Sequence, residues 1–506
     1  MNLVVPRVSP VDEYNQILVE NVHPPKWVNP QPSGRYNLVV LGAGTAGLVT
    51  AAGAAALGAK VALIEKHLLG GDCLVYGCVP SKAVIRGARV AQTVRESSDY
   101  GVHISGGFTI NFGEAMKRMR RLRAGISEHD SARRFQDLGV DVFLGEGKFV
   151  DRSTVEVEGQ RLIFSRAVIA TGARAAHPAI PGLDEAGFLT NETVFSLTEL
   201  PRRLCVIGAG PIGCEMAQAF RRLGSEVCII THGERILPRE DSDAAAIVHK
   251  QFEKEGIRVV LGARILKAEM VDGTRFIDFE QDKRGERVAS DEILVAIGRA
   301  PNVEGLNLEA AGVAYDKKGV TVDDHLRTTN SRIYAAGDIC SHFKFTHAAD
   351  AMARLALRNA FFFGRGMAST LVIPWCTFTD PEVAHVGLYE DEARKRGHNV
   401  VTHTVNIAEV DRAILDGATE GFARVHMDAK SGKILGATLV SEHAGESIPE
   451  FVLAMTQGIP LSAFASTIHP YPTQAEVIKR LGDLSMRARL KPWLKKVFTA
   501  YFKMRR

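Results

Sequence analysis

From Tyr36 the chain reads Tyr36-Asn37-Leu38-Val39-Val40-Leu41, a continuous apolar run of the kind that forms a strand covered on both faces. It runs into Gly42-Ala43-Gly44-Thr45-Ala46-Gly47. An alanine-rich stretch to Leu57 then predicts a helix, and Lys60-Val61-Ala62-Leu63-Ile64 a second strand ending at Glu65. Strand, helix and strand make one βαβ unit. The order returns at Arg203-Leu204-Cys205-Val206-Ile207, followed by Gly208-Ala209-Gly210-Pro211-Ile212-Gly213, a helix carrying Glu215 and Phe220, and a strand over Glu226–Ile230. Two shorter strand-to-glycine turns match each other, Ala170-Thr171-Gly172-Ala173 and Ala296-Ile297-Gly298-Arg299. The chain thus holds two nucleotide-binding halves, the second inserted in the first. Beyond residue 370 strand and helix patterns alternate without a glycine fingerprint, which predicts a third domain of different build that ends near Leu484.

The flanks read differently. Residues 1–34 contain six prolines, and Pro24, Pro25, Pro30 and Pro32 predict an irregular extension. With Glu13 and Glu20 and only short apolar stretches, it does not read as a signal peptide. Residues 487–506 hold eight Lys or Arg and no acid. Pro492 could start a helix there, with Trp493, Leu494, Val497, Phe498, Tyr501 and Phe502 on one face. Such a helix suits either an anionic membrane surface or a docking site on its own protein. The basic run Lys117, Arg118, Arg120, Arg121 and Arg123 reads as a solvated helix face.

Composition narrows the class. A chain of 506 residues exceeds what one core supports and predicts three or four domains. A net charge of +4 is too small for this length to make the whole surface a nucleic-acid footprint. Seven cysteines scattered over so long a chain do not form a secreted disulfide scaffold, so reduced thiols in a cytoplasmic setting are expected. No run of about 18 apolar residues could span a bilayer.

Each glycine loop sits between a strand and a helix. There the first glycine (Gly42, Gly208) allows the tight turn, the second (Gly44, Gly210) the close approach of a pyrophosphate, and the third (Gly47, Gly213) close helix–strand packing. The pyrophosphate would rest on the unpaired amides that open the helix. Glu65, ending the second strand, suits two ribose hydroxyls, as in the unphosphorylated adenosine of FAD. The corresponding position of the second unit is Thr231, followed by His232 and Arg235, which favours NADPH and leaves NADH open.

Between these units lies Gly70-Gly71-Asp72-Cys73-Leu74-Val75-Tyr76-Gly77-Cys78-Val79-Pro80-Ser81-Lys82. Two cysteines five positions apart can meet across a distorted first helical turn, where the helix N-terminus lowers a thiol pKa. Zinc would need two more ligands close by, and none is there, so no structural metal is expected. This segment resembles the active site of the class I pyridine nucleotide–disulfide oxidoreductases, and the resemblance runs over about residues 36–484. It includes Ile333-Tyr334-Ala335-Ala336-Gly337-Asp338, whose aspartate in that family binds the flavin side, and Thr377-Phe378-Thr379-Asp380-Pro381-Glu382, the opening of its interface domain.

The resemblance implies an α/β chain of two Rossmann-like domains, for FAD and NAD(P), plus a C-terminal α+β dimerisation domain. The expected boundaries are 1–34 extension, 35–190 first FAD-binding segment with the redox pair, 191–300 NAD(P)-binding domain, 301–370 second FAD-binding segment, 371–484 dimerisation domain and 485–506 tail. FAD binding would involve Gly42, Gly44, Gly47, Glu65, Lys82, Thr171, Gly172, Gly337, Asp338 and the amides around His347. NAD(P) binding would involve Gly208, Gly210, Gly213, Arg235 and Gly298. Cys78 would be the flavin-facing thiol, Cys73 the interchange thiol, and Lys82 would pair with Glu215 where hydride passes. Cys205, Cys214, Cys228, Cys340 and Cys376 are expected to be packed and inert. A homodimer is implied, with active sites shared across the interface.

The sequence departs from the disulfide reductases at Ile468-His469-Pro470-Tyr471-Pro472-Thr473-Gln474-Ala475-Glu476. Aligning Pro472-Thr473 and Glu476 with the family's His-Pro-Thr segment and its orienting glutamate puts Tyr471, not His469, at the acid–base position. Mercuric reductases resemble this chain there. A neutral tyrosine is a poor proton shuttle near neutrality but a usable hydroxyl beside a metal ion. The expected acceptor is therefore a soft metal ion, held transiently by Cys73 and Cys78. A disulfide of the dihydrolipoamide dehydrogenase or glutathione reductase type, using His469, is the alternative. Mercuric reductases end in a vicinal cysteine pair, whereas this chain ends in Lys503-Met504-Arg505-Arg506. A further alternative is a membrane-surface redox partner or sensor.

Overall fold

A computed structural model describes residues 5–362, 364–488, 490 and 492–506; residues 1–4 of the expected extension and Arg489 and Lys491 of the tail lie outside the described residues. The chain divides into two compact units, Met1–Ile236 with Phe252–Leu371, and Leu237–Gln251 with Val372–Arg506.

In the first unit a parallel sheet runs in the order Val140–Leu144, Val61–Glu65, Arg35–Leu41, Gln160–Ile169. Leu41 lies level with both Ile64 and Ile169, so three strands end together beside Gly42. Where they end, Leu38–Leu41, Val61–Ile64 and Ala167–Ile169 are apolar because both faces are covered. Leu38 and Val40 pack with Ala51 and Ala54 of the helix Thr45–Ala56, and Val39 and Leu41 pack with Phe149 and Phe164 on the other side. Each buried Leu or Val contributes about 1.5–3 kcal/mol. The short strand Ile333–Ala335 pairs in parallel with the end of Gln160–Ile169. It rejoins this sheet after a second, four-stranded parallel sheet, Arg258–Val260, Glu226–Ile230, Arg203–Ile207, Glu292–Val295, has been formed from the intervening chain. The two matching glycine turns meet where Ala173–Ala175 pairs antiparallel with Arg299–Pro301.

The N-terminal extension is not irregular, as the prolines had suggested. Glu13–Val22 is a helix, capped by the Asp12 side chain on the Asn15 amide, and Leu18 and Val22 are fully buried. The prolines lie outside it and set only its limits. Nor is the basic run 117–123 wholly solvated: Lys117, Arg118 and Arg121 are exposed, but Arg120 and Arg123 are buried. Arg120 Nε pairs with Asp12 Oδ2 at 2.5 Å. Arg123 donates to Asn15 Oδ1 at 2.7 Å and to the Val75 carbonyl at 2.6 Å. The extension thus supplies the polar partners that let two arginines be buried, and Arg123 ties it to the end of the helix bearing Cys73. Arg123→Met leaves the Asn15 and Val75 acceptors buried without a donor. It is expected to cost about 2–4 kcal/mol in urea unfolding of the reduced protein.

The second unit is built on an antiparallel sheet, Pro374–Thr377, Glu382–Gly387, Ile434–Ser441, Phe422–Asp428, Val400–Asn406. The helix Glu476–Ala488 buries Val477, Ile478 and Leu481 in its core. Residues 237–251, expected within the NAD(P)-binding domain, group here instead. The buried Glu240 accepts hydrogen bonds from Trp375 and Tyr389, and Arg424 pairs with Asp241 and Asp243. Among the described residues no helix is long and apolar enough to cross a membrane.

Candidate functional site

The first glycine loop leaves Arg35–Leu41 at Gly42, whose φ is +97° and whose added Cβ would lie 2.4 Å from the Ala170 carbonyl oxygen. Only glycine makes this turn between neighbouring strand ends. The helix Thr45–Ala56 then starts at Gly44 without a side-chain cap or an acid in its first turn, and Pro211–Leu223 starts likewise at Gly210. Two helix N-termini with unclaimed amides are what pyrophosphates need. The Glu65 carboxylate ends the second strand, accepting from the Ala43 amide at 2.6 Å and the His67 amide at 2.8 Å. Burial raises its pKa, and those amides oppose the rise. Burial likewise raises the pKa of Asp338, whose carboxylate lies 3.5 Å from Arg299 Nε. The residues present fit FAD on the first loop and a nicotinamide dinucleotide on the second.

The redox segment is fastened to the first loop. The Gly70 amide donates to the Ala43 carbonyl at 2.8 Å. Gly71, with φ +58°, lies so close that an added Cβ would sit 2.7 Å from Gly44 Cα. The short helix Gly71–Val75 carries Cys73, and the long helix Cys78–Arg95 begins at Cys78 itself. Both thiols are free. Cys78 Sγ lies 3.4 Å from the Thr346 hydroxyl. The Cys78 thiol is lowered to about 6, chiefly by the hydrogen bond from Cys73, with Thr346 and Lys82 adding to it against burial. The Cys73 thiol is raised by the same bond and by burial. Both directions favour the proton on Cys73 and the negative charge on Cys78, at the positive end of its helix. Lys82, one turn along that helix, donates to Glu215 at 2.8 Å; Glu215, on Pro211–Leu223, is only 6 % exposed.

Asp72, beside Cys73, accepts from Asn191 at 2.9 Å and from Arg299 at 2.7 Å. Sequence reasoning passed over Asp72, Asn191, Arg299 and Thr346. Asp72 and Arg299 stand inside the cysteine segment and the second glycine turn, so their charge was the available signal; Asn191 and Thr346 carried none. Thr171 donates to the Asn302 carbonyl and Gly172 accepts from the Asn302 amide. Gly298 and Gly337 both take positive φ. His347 stacks on Phe345 at the uncapped start of Thr346–Phe361. Arg235 is exposed after Glu226–Ile230, and the Thr231 hydroxyl turns back to the Gly233 amide. Glu234, a carboxylate not weighed in the sequence, stands in the same loop and leans toward Gly262.

In the second unit the acid–base candidates separate. The Tyr471 hydroxyl donates to Asp411 at 2.8 Å, which raises its pKa, and the residue is 71 % exposed. His469 Nε2 lies 3.0 Å from Glu450, with a side chain 5 % exposed. Glu476, the expected orienting carboxylate, is held instead by Arg480 one helical turn on, at 2.9 Å.

A family model described as pyridine nucleotide-disulphide oxidoreductase matches residues 36–353, and one for its dimerisation domain matches residues 373–481. The mercuric reductase of Bacillus cereus is 36 % identical over 453 residues, covering 89 % of this chain and 72 % of that protein. The dihydrolipoyl dehydrogenase of Bacillus subtilis is 33 % identical over 464 residues, covering 88 % and 96 %. Among solved structures, the Cu(II) complex of the HOCl-induced flavoprotein disulfide reductase RclA from Escherichia coli superposes with a TM-score of 0.80. It is 26 % identical and covers 89 % of this chain and 100 % of its own. LpdA from Mycobacterium tuberculosis superposes with a TM-score of 0.81 at 26 % identity, covering 88 % and 98 %.

Proposed function

We propose, from the premise that this chain belongs to the pyridine nucleotide-disulphide oxidoreductase family, that it reduces a soft metal ion through Cys73 and Cys78 with NADPH as donor. The family is FAD-dependent and works with a pyridine nucleotide; bound FAD supplies the relay that carries two electrons from the nucleotide to the thiols. The chain's own residues do the rest. Gly42, Gly44 and Glu65 hold the flavin nucleotide, and Gly208, Gly210 and Arg235 hold the donor. Lys82 and Glu215 fix the position where hydride passes. Cys73 first, with Thr346 and Lys82, keeps Cys78 a thiolate. A soft Hg(II)-type ion is taken by the two sulfurs, which suit it better than nitrogen or oxygen donors. It leaves as the metal after gaining two electrons, while NADPH becomes NADP⁺ and one proton is released.

The observation that carries this reading is the contrast between Tyr471 and His469. The Tyr471 side chain is 71 % exposed and its hydroxyl bonds to Asp411, whereas the imidazole is enclosed and bonded to Glu450. A neutral hydroxyl is usable beside a substrate metal; a departing thiol needs a proton donor. In the dimer these residues would act across the interface, as the match to the dimerisation domain supports. The rival reading, a disulfide reductase using His469, is favoured by the dihydrolipoyl dehydrogenase match over 96 % of that enzyme.

The test is NADPH oxidation with Hg(II) in excess thiol, set against lipoamide and glutathione disulfide, with mercury vapour trapped. Catalytic vapour is expected. Tyr471→Phe should lower that turnover about tenfold to a hundredfold, the cost of one lost hydrogen bond at a reacting centre, and His469→Gln should leave it near wild type. Inhibition by Hg(II), with brisk disulfide turnover that His469→Gln destroys, would sink the metal reading.

A further inference from the structure

We propose that the helix Pro492–Met504 is a surface anchor that lays its aromatic side into an anionic phospholipid bilayer. The helix runs for 13 residues and buries none of them. Trp493, Val497, Phe498, Tyr501, Phe502 and Met504 are all exposed. They form one patch, with Phe498 stacked on Phe502 at 6.4 Å and Tyr501 edge-on to Phe502 at 5.5 Å. At ~100° per residue, Trp493 through Phe502 cover about half of the helix circumference. That is broader than the stripe of roughly 100° by which a helix usually packs on a protein core, and it is the half-cylinder that a flat lipid interface takes.

Charge identifies the lipid. Lys495, Lys496 and Lys503 fall on the opposite arc, and residues 487–506 contain no acid, so nothing within the helix neutralises them. Lysine stems reach along the apolar side and hold their ammonium groups at headgroup level, and tryptophan and tyrosine rings favour the same depth. At ~20 Å the helix is too short to span and must lie in the plane of the surface. The match to the dimerisation domain ends at residue 481, before this helix begins. The anchor is independent of which acceptor the thiols reduce.

The experiment is flotation of the purified, flavin-loaded full chain with vesicles of phosphatidylglycerol and of phosphatidylcholine, at low and high salt. The chain is expected to float with the anionic vesicles and to stay behind with the zwitterionic ones, and to be released by salt. Lys495→Gln with Lys496→Gln and Lys503→Gln should weaken partition on the order of a hundredfold, at roughly fivefold per lysine near the surface. Trp493→Asp with Phe498→Asp should abolish partition, and NADPH oxidation in solution should be unchanged in both. Three results would overturn the proposal: no flotation with either vesicle, equal flotation of the wild type and the lysine variant, or removal of residues 492–506 converting a dimer to a monomer without altering flotation.

Discussion

Cys78→Ser is expected to stop acceptor reduction, lowering turnover by a factor of about 10³ or more, while the protein still folds and binds its nucleotides. Serine fills the same space at the start of Cys78–Arg95, but its hydroxyl does not ionise near neutrality and cannot take up or pass on electrons. Cys73→Ser also stops turnover, by a different route that spectroscopy separates. It keeps the thiolate at Cys78, so long-wavelength absorbance from a thiolate against the flavin persists in Cys73→Ser and is lost in Cys78→Ser. The pH dependence follows from the same geometry. Cys78 is lowered to about 6 first by the Cys73 hydrogen bond, so the thiolate is present above that pH and is lost as pH falls through it. Cys73→Ala removes the donor, and the midpoint for iodoacetamide labelling of Cys78 should move to higher pH. An unchanged midpoint would show that Cys73 is not what holds the charge on Cys78.

Lys82→Met is expected to have the next largest effect, because it acts on stability and on the thiol together. Glu215 is 6 % exposed and Lys82 is its ion-pair partner at 2.8 Å. Removing the lysine takes this cation away from a buried carboxylate. The cost is about 3 kcal/mol, at the low end for breaking a buried pair because the Lys82 side chain is 36 % exposed. The same change removes a positive charge that lowers the Cys78 pKa, so labelling of Cys78 should shift to higher pH. Replacing both members, Lys82→Met with Glu215→Leu, should recover stability and leave the Cys78 shift in place. If the double variant regained the wild-type labelling profile as well, the shift would be a consequence of misfolding and not of the missing charge.

Much of this molecule is local and therefore legible along the chain. A parallel strand must be apolar where both its faces are covered, and a turn that brings Gly42 against Ala170 admits only glycine. The two βαβ units and the inserted order of the halves follow from those local requirements. The cysteine pair is local too, since a spacing of five bridges one distorted turn. What the chain order could not reveal is which distant groups complete each charge. Arg123 looked like a solvated residue because its partners, Asn15 and Val75, lie far away in sequence. The extension that carries Asn15 looked irregular because proline marks where a helix cannot run, not where one does. Asp72 meets Arg299 and Asn191, Cys78 meets Thr346, and Glu476 is claimed by Arg480 while Tyr471 finds Asp411. Spacing along the chain determined the two βαβ units and that the two cysteines can meet, because backbone geometry dictates residue type one turn at a time; the full domain plan and the roles of the thiols came from the family resemblance. Tertiary structure alone decided which buried charges are paired, because pairing depends on separations in space that no local pattern encodes.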